Sequence, residues 1–130
     1  MVDEAFRIFH TSENRSIAYV KRYIKQSSDQ SPGIIFLGGL RSDMQGTKAS
    51  YLEKWCFEKE CNFLKFDYSG HGQSSETFES GCISDWKNDA CEVLDNLSEG
   101  PQILIGSSMG GWISLLLGNL RPKRIMAFIG

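Results

Sequence analysis

Apolar and β-branched residues recur along this chain in short clusters bounded by turn signals, and longer stretches with helical spacing separate the later clusters. That alternation predicts an α/β protein. The first two clusters, "AFRIFHT" and "SIAYVKRYI", have no helix between them, and "SENR" reads as the turn of an antiparallel hairpin. "GIIFLGG" follows the polar run "KQSSDQSPG" and is apolar throughout, as a central strand covered on both faces must be. In "TKASYLEKWCFEKE", Ala49, Leu52, Trp55 and Cys56 have helical spacing and are expected to pack, while Lys48, Glu53, Lys54 and Glu58 are expected to face water. "NFLKFDY" is the next strand and leads into the loop "SGHGQSSETFESG". Ile83, Trp86, Ala90, Val93, Leu94 and Leu97 then form a second amphipathic stripe, stopped by Gly100 and Pro101. "QILI" is a buried strand, "MGGWISLLLGNL" a largely apolar helix, and "RIMAFI" a last strand reaching Ile129.

The predicted order is β-β-β-α-β-α-β-α-β, without internal repeats or low-complexity segments. Crossover helices force the later strands to run parallel, with right-handed connections. The expectation is one domain over residues 1–130, built on a mostly parallel sheet with an antiparallel N-terminal hairpin.

Length and charge narrow the possibilities. A chain of 130 residues has room for one core. A net charge of -2 offers no excess of Lys and Arg to neutralise a phosphate backbone, so nucleic acid is not an expected partner. No apolar run approaches the roughly 18 residues of a membrane span, and "MVDEAFRIFH" lacks the order of a signal peptide. A soluble, cytoplasmic protein is expected. Cys56, Cys61, Cys82 and Cys91 form no C-x-x-C pair and no grouping with His10 or His71 that zinc would require. They are expected to be reduced and mostly buried, and no metal is expected.

The segment "QILIGSSMGGWISLLLG" carries the candidate chemistry. Gly106, Ser107, Ser108, Met109 and Gly110 match G-x-S-x-G, a turn in which a nucleophilic serine sits between a strand and a helix. Composition alone can generate such a pattern in a chain with 13 glycines. The strand before it and the helix after it are what make the match specific. The glycines are required sterically, because side chains at Gly106 and Gly110 would strike the neighbouring elements. The catalytic candidate is therefore Ser108, and Ser107 is its structural neighbour. An oxyanion hole needs two N–H donors, and Met109 is the candidate for the one that follows the nucleophile. The other candidate is Leu40, in the loop after the third strand, where a plain glycine turn is the alternative.

Three segments, "FLGGLRSDMQGTKA", "FDYSGHGQSS" and "GPQILIGSSMGGW", together resemble the α/β-hydrolase superfamily. "SDMQGTKA" narrows the resemblance to the branch containing palmitoyl-protein thioesterases, also described as mycophenolic acid acyl-glucuronide esterases, and their bacterial relatives. The resemblance runs from about Phe6 to the end of the sequence. It implies the first six strands of that fold, without its last strands and lid. It also implies hydrolysis of a small acyl ester or thioester through an acyl-serine intermediate, with no cofactor.

Two features depart from the pattern. Gly38 stands where many members of the superfamily carry histidine, which leaves the backbone donor intact. In this fold the acid and histidine of the triad follow the serine, yet "MGGWISLLLGNLRPKRIMAFIG" contains no Asp, Glu or His. His71 and Asp67 lie in a loop that shapes the fold in relatives, and His10 lies on an edge strand. The expectation is a hydrolase cut short before its acid and histidine, with little activity alone. The alternative is a non-catalytic remnant that binds a missing C-terminal segment or a second chain through an open sheet edge. A dinucleotide site is not expected, because "GHGQSS" lacks the last glycine of G-x-G-x-x-G, and no G-K-[ST] marks a P-loop.

Overall fold

The computed structural model describes residues 6–23 and 31–130. Its elements follow the predicted order: β1 (Arg7–His10), β2 (Ser16–Arg22), β3 (Gly33–Leu37), α1 (Thr47–Glu58), β4 (Phe63–Phe66), α2 (Ile83–Leu97), β5 (Gln102–Gly106), α3 (Met109–Leu120) and β6 (Ile125–Ile129). A short 3-10 turn, Phe78–Ser80, lies within the segment expected to be loop. Ala5 and Ile24, assigned to strands from the sequence, and positions 25–30 of the polar run lie outside the described residues.

The six strands form one sheet in the order β1-β2-β4-β3-β5-β6. β1 and β2 pair antiparallel, with Asn14 in the left-handed region closing the hairpin, and β2 pairs antiparallel with β4. The pairs β3–β4, β3–β5 and β5–β6 are parallel, as the intervening helices require.

Strand periodicity divides the core between two faces. Ile34, Phe36 and Phe63 meet Ala49 and Cys56 of α1 on one face. Ile35, Leu37, Leu64 and Leu104 meet α2 and α3 through Trp86, Leu94, Ile113 and Leu117 on the other. The second expected stripe is confirmed, since Trp86, Ala90, Val93, Leu94 and Leu97 are all buried.

The first stripe needs correction at two positions. With 3.6 residues per turn, Ala49, Leu52, Glu53 and Cys56 share an arc of roughly 100°, and Trp55 lies about 60° outside it. Trp55 is accordingly 39% exposed. Glu53, expected in water, instead turns under α1 and accepts hydrogen bonds from Lys65 Nζ at 2.7 Å and Arg22 Nε at 2.8 Å. Lys65 is a β4 residue with only 2% exposure, so the pair satisfies a cation that the sheet has taken out of water. The cysteines are free, as expected, but only Cys56 and Cys91 are buried, while Cys82 is exposed.

On the opposite face, Asp89 of α2 is fully buried. Its carboxylate accepts from Arg15 Nε of the hairpin at 2.9 Å and from the Ser69 N–H at 2.8 Å, joining the hairpin, α2 and the loop after β4. The sixth strand is an edge, as expected, and leaves Met126, Phe128 and Ile129 substantially exposed.

The Glu53 interactions predict a pH-dependent contribution to stability. Burial pushes its carboxyl upward, but hydrogen bonds from Lys65 and Arg22 outweigh burial and hold it below the ordinary 4.5. The ionised form is therefore favoured by folding, and its contribution is present above pH 4.5 and lost as pH falls through the lower folded-state value. Glu53→Gln leaves Lys65 opposite a neutral amide and is expected to cost about 2–4 kcal/mol at pH 7. In paired denaturation experiments, the gap between parent and variant should close as pH falls below 4.5.

Candidate functional site

The carboxyl ends of β3 and β5 meet at the turn between β5 and α3. Ser108 occupies that turn with φ 57° and ψ -114°, in the left-handed half of backbone space, and its side chain is exposed. A residue other than glycine held there stores about 1–3 kcal/mol of strain, which the surrounding packing must offset. The packing is visible at the two glycines. A Cβ on Gly106 would lie 2.3 Å from the Gly110 carbonyl oxygen, and one on Gly110 would lie 2.0 Å from the Leu37 carbonyl oxygen. Hydrogen bonds from Ser107 N to Leu37 O (3.0 Å) and from Gly110 N to Ser107 O (2.9 Å) close the bend. The steric reason given for both glycines from the sequence is thus met in the structure.

Met109 is the first residue of α3, so its N–H has no intrahelical carbonyl to reach and lies at the positive end of the helix. Leu40 lies in the loop between β3 and α1. The Ser42 N–H donates to the Gly39 carbonyl at 3.1 Å, a turn around Leu40 and Arg41 that leaves the Leu40 N–H outside its hydrogen bond. This loop approaches Ser108 closely, because a Cβ on Gly39 would stand 3.5 Å from Ser108 Cβ and 3.2 Å from the Ser107 carbonyl oxygen. The structure therefore brings together the segments of all three candidates: Ser108, Leu40 and Met109.

The loop from Gly38 to Gly46 is held by the segment between β4 and α2. Tyr68 is 2% exposed, and its hydroxyl donates to the Gly38 carbonyl at 2.9 Å. Arg41 lies 4.2 Å above the Phe78 ring. Asp67 accepts from the Met44 N–H at 2.7 Å and, through its other oxygen, from the Gln73 N–H at 2.9 Å. Burial pushes the Asp67 carboxyl above the ordinary carboxylate value, against the opposing pull of those two donors. Asp67 is thus a structural clasp between two loops.

His71 is similarly structural. It is 4% exposed, its Nδ1 lies 3.0 Å from the Ser69 carbonyl, and its ring makes edge contacts with Tyr68, Phe78 and Trp86 at 5.2–5.5 Å. It follows β4, two strands from β5, a separation of about 10 Å at the sheet. His10 is on β1, four strands from β5 and about 19 Å away. The structure brings neither histidine to Ser108.

One contact was not legible in the motif. Lys48, in the first turn of α1, donates from Nζ to Ser107 Oγ at 3.0 Å. Beside it a groove of about 400 Å³ runs along the α1 face of the sheet, lined by Phe36, Tyr51, Leu52, Ile105 and Ile129, and opens at Ser107 and Ser108.

The three glycines of this turn separate by the space around them. Gly110→Ala is expected to abolish cooperative folding or to cost more than about 3 kcal/mol, because the clash is with backbone. A Cβ on Gly111 would have no neighbour nearer than 3.8 Å, so Gly111→Ala is expected to be neutral or to stabilise by up to about 1 kcal/mol. Chemical denaturation of the two variants measures the difference.

Comparison with known proteins agrees with this geometry. The bovine palmitoyl-protein thioesterase ABHD10, mitochondrial, is 42% identical over 106 residues, covering 82% of this chain and 35% of that protein. The solved structure of mouse alpha/beta hydrolase domain-containing protein 10 superposes with a TM-score of 0.91 at 38% identity, covering 98% of this chain and 49% of that one. Est1E from Butyrivibrio proteoclasticus, solved with ferulic acid bound, shares the fold at 18% identity with a TM-score of 0.82. The chain thus spans about a third of the length of that curated relative and about half of the mouse structure. The palmitoyl-protein thioesterase relatives are named as mitochondrial, which runs against the cytoplasmic location expected from the sequence. Among the described residues no helix is long and apolar enough to cross a membrane. A family model described as serine aminopeptidase, S33, matches residues 34–130, and with the superposition above it establishes that this chain belongs to that family of α/β hydrolases.

Proposed function

We propose that this chain is the nucleophile-bearing part of a serine hydrolase acting on acyl esters or thioesters. The observation that carries the reading is the strained, exposed Ser108 at the start of α3, locked by two glycines that admit no side chain. The packing imposes the turn but not the residue type, and a serine left exposed at φ 57° suits a nucleophile. The relatives named palmitoyl-protein thioesterase support the thioester part of the reading.

In the proposed reaction, Ser108 Oγ attacks the acyl carbon and its proton passes to a histidine supplied by the rest of the enzyme. The carbonyl oxygen becomes negative in the tetrahedral intermediate and accepts hydrogen bonds from the Leu40 and Met109 N–H groups. Collapse releases the thiol or alcohol, which takes the proton from histidine. Water then attacks the acyl-serine, releasing the carboxylic acid and restoring the hydroxyl. A serine hydroxyl without a base remains protonated near neutral pH, so this segment alone is expected to be nearly inactive.

A second reading has its own support. The β6 edge exposes Met126, Phe128 and Ile129, and unpaired apolar edges favour association with another chain. A non-catalytic role through that edge predicts a stable complex or self-association. Size-exclusion chromatography giving a soluble monomer at high concentration would count against it.

A fluorophosphonate probe with peptide mapping tests the hydrolase reading. Modification is expected at Ser108, absent in Ser108→Ala, and slower than in the mouse relative by a factor of about 100 or more, the usual worth of a general base. Labelling at the relative's rate would overturn the need for a base outside this segment. Labelling at another residue, or none on prolonged incubation, would overturn the role of Ser108.

A further inference from the structure

We infer that Tyr68 is a positioning residue for the oxyanion hole, fixing the direction of the Leu40 N–H through the carbonyl of Gly38. The inference rests on the hydrolase reading above and adds to it a residue outside the G-x-S-x-G turn.

Three facts lead to it. First, the Tyr68 hydroxyl is buried, and its hydrogen bond to Gly38 O is formed across 30 residues of sequence. Burial pushes the phenol far above its ordinary value, so the group is a permanent donor at any working pH. A core position beside Phe66 and Trp86 would be filled equally well by phenylalanine, and the hydroxyl adds only this contact.

Second, Gly38 O belongs to the peptide plane between Gly38 and Gly39, one residue before the peptide that carries the Leu40 N–H. Two successive glycines have the widest backbone freedom, so the direction of that N–H depends on the hydrogen bonds that hold the two planes. Tyr68 holds the first plane, and the Ser42 N–H donates to the carbonyl of the second at 3.1 Å, so the turn that carries the Leu40 N–H is docked through Gly38.

Third, the remaining anchors of the loop to other segments lie farther on, at Arg41 over Phe78 and at Met44 on Asp67. They hold the loop in place without setting the plane at Gly38. The Met109 N–H, by contrast, is set by the start of α3; the Met109 side chain packs against the cluster that includes Tyr68, but no hydrogen bond joins the two residues. The two donors are therefore positioned through different backbone segments.

That difference makes the experiment selective. The chain is labelled with ¹⁵N and phosphonylated to completion at Ser108, so that the phosphonyl oxygen occupies the oxyanion position. In the parent, the amide protons of both Leu40 and Met109 are expected to shift downfield on adduct formation. In Tyr68→Phe, the Met109 shift should persist and the Leu40 shift should fall by half or more, with phosphonylation slowed about tenfold, a fraction of the loss seen when a donor is removed outright. A merely structural role would move both amides together or neither. Unchanged Leu40 behaviour in the variant overturns the inference and leaves the hydrolase reading intact, as does a parent adduct in which Leu40 does not shift, a result that does not depend on the variant folding. Failure of any probe to modify Ser108 overturns both.

Discussion

Everything at this site follows from one close approach, that of the α3 backbone at Gly110 to the carbonyl of Leu37 at the end of β3. The helix starts so near the neighbouring strand that no Cβ fits between them. This forces the chain to reverse within the two residues after β5. Ser108 takes a positive φ because that is the conformation that completes the reversal, and the residue is left exposed at the turn. The strain, about 1–3 kcal/mol, is small beside the burial of Ile113 and Leu117, which pins α3 against the sheet. The position and exposure of Ser108 are thus by-products of helix-on-sheet packing, and they persist as long as the packing does.

A second level of organisation surrounds the first. The carboxyl end of β4 carries Asp67 and Tyr68, which reach the far and near ends of the loop after β3, while Asp89 of α2 receives the Ser69 N–H and the guanidinium of Arg15. Buried carboxylates are costly unless each oxygen is used, and here both oxygens of Asp67 and of Asp89 accept hydrogen bonds. The polar groups under the site therefore act as spacers that fix loop against loop. His71 belongs to the same layer, wedged among the rings of Tyr68, Phe78 and Trp86.

What the sequence revealed and what it hid follow from the range of the forces involved. The order of elements was legible because each strand and helix declares itself through the spacing of its own apolar residues, as in Ile83 to Leu97. The G-x-S-x-G turn was legible because its steric demands fall on residues within five positions of one another. Trp55 was misassigned because apolar character was read without its angular place on the helix, and Glu53 because its partners, Arg22 and Lys65, come from two different strands. Tyr68, Asp89 and Lys48 escaped notice for the same reason. Their partners lie 20 to 74 residues away, and no local spacing encodes such pairings.

What this segment contributes to the proposed reaction is a candidate nucleophile and two candidate amide donors, with a groove beside them. The central claim is geometric, and a crystal structure of the Ser108 phosphonyl adduct tests it most directly. The account predicts the phosphonyl oxygen about 2.7–3.1 Å from both the Leu40 and Met109 nitrogens. An oxygen turned to solvent, or bound by neither amide, would contradict it.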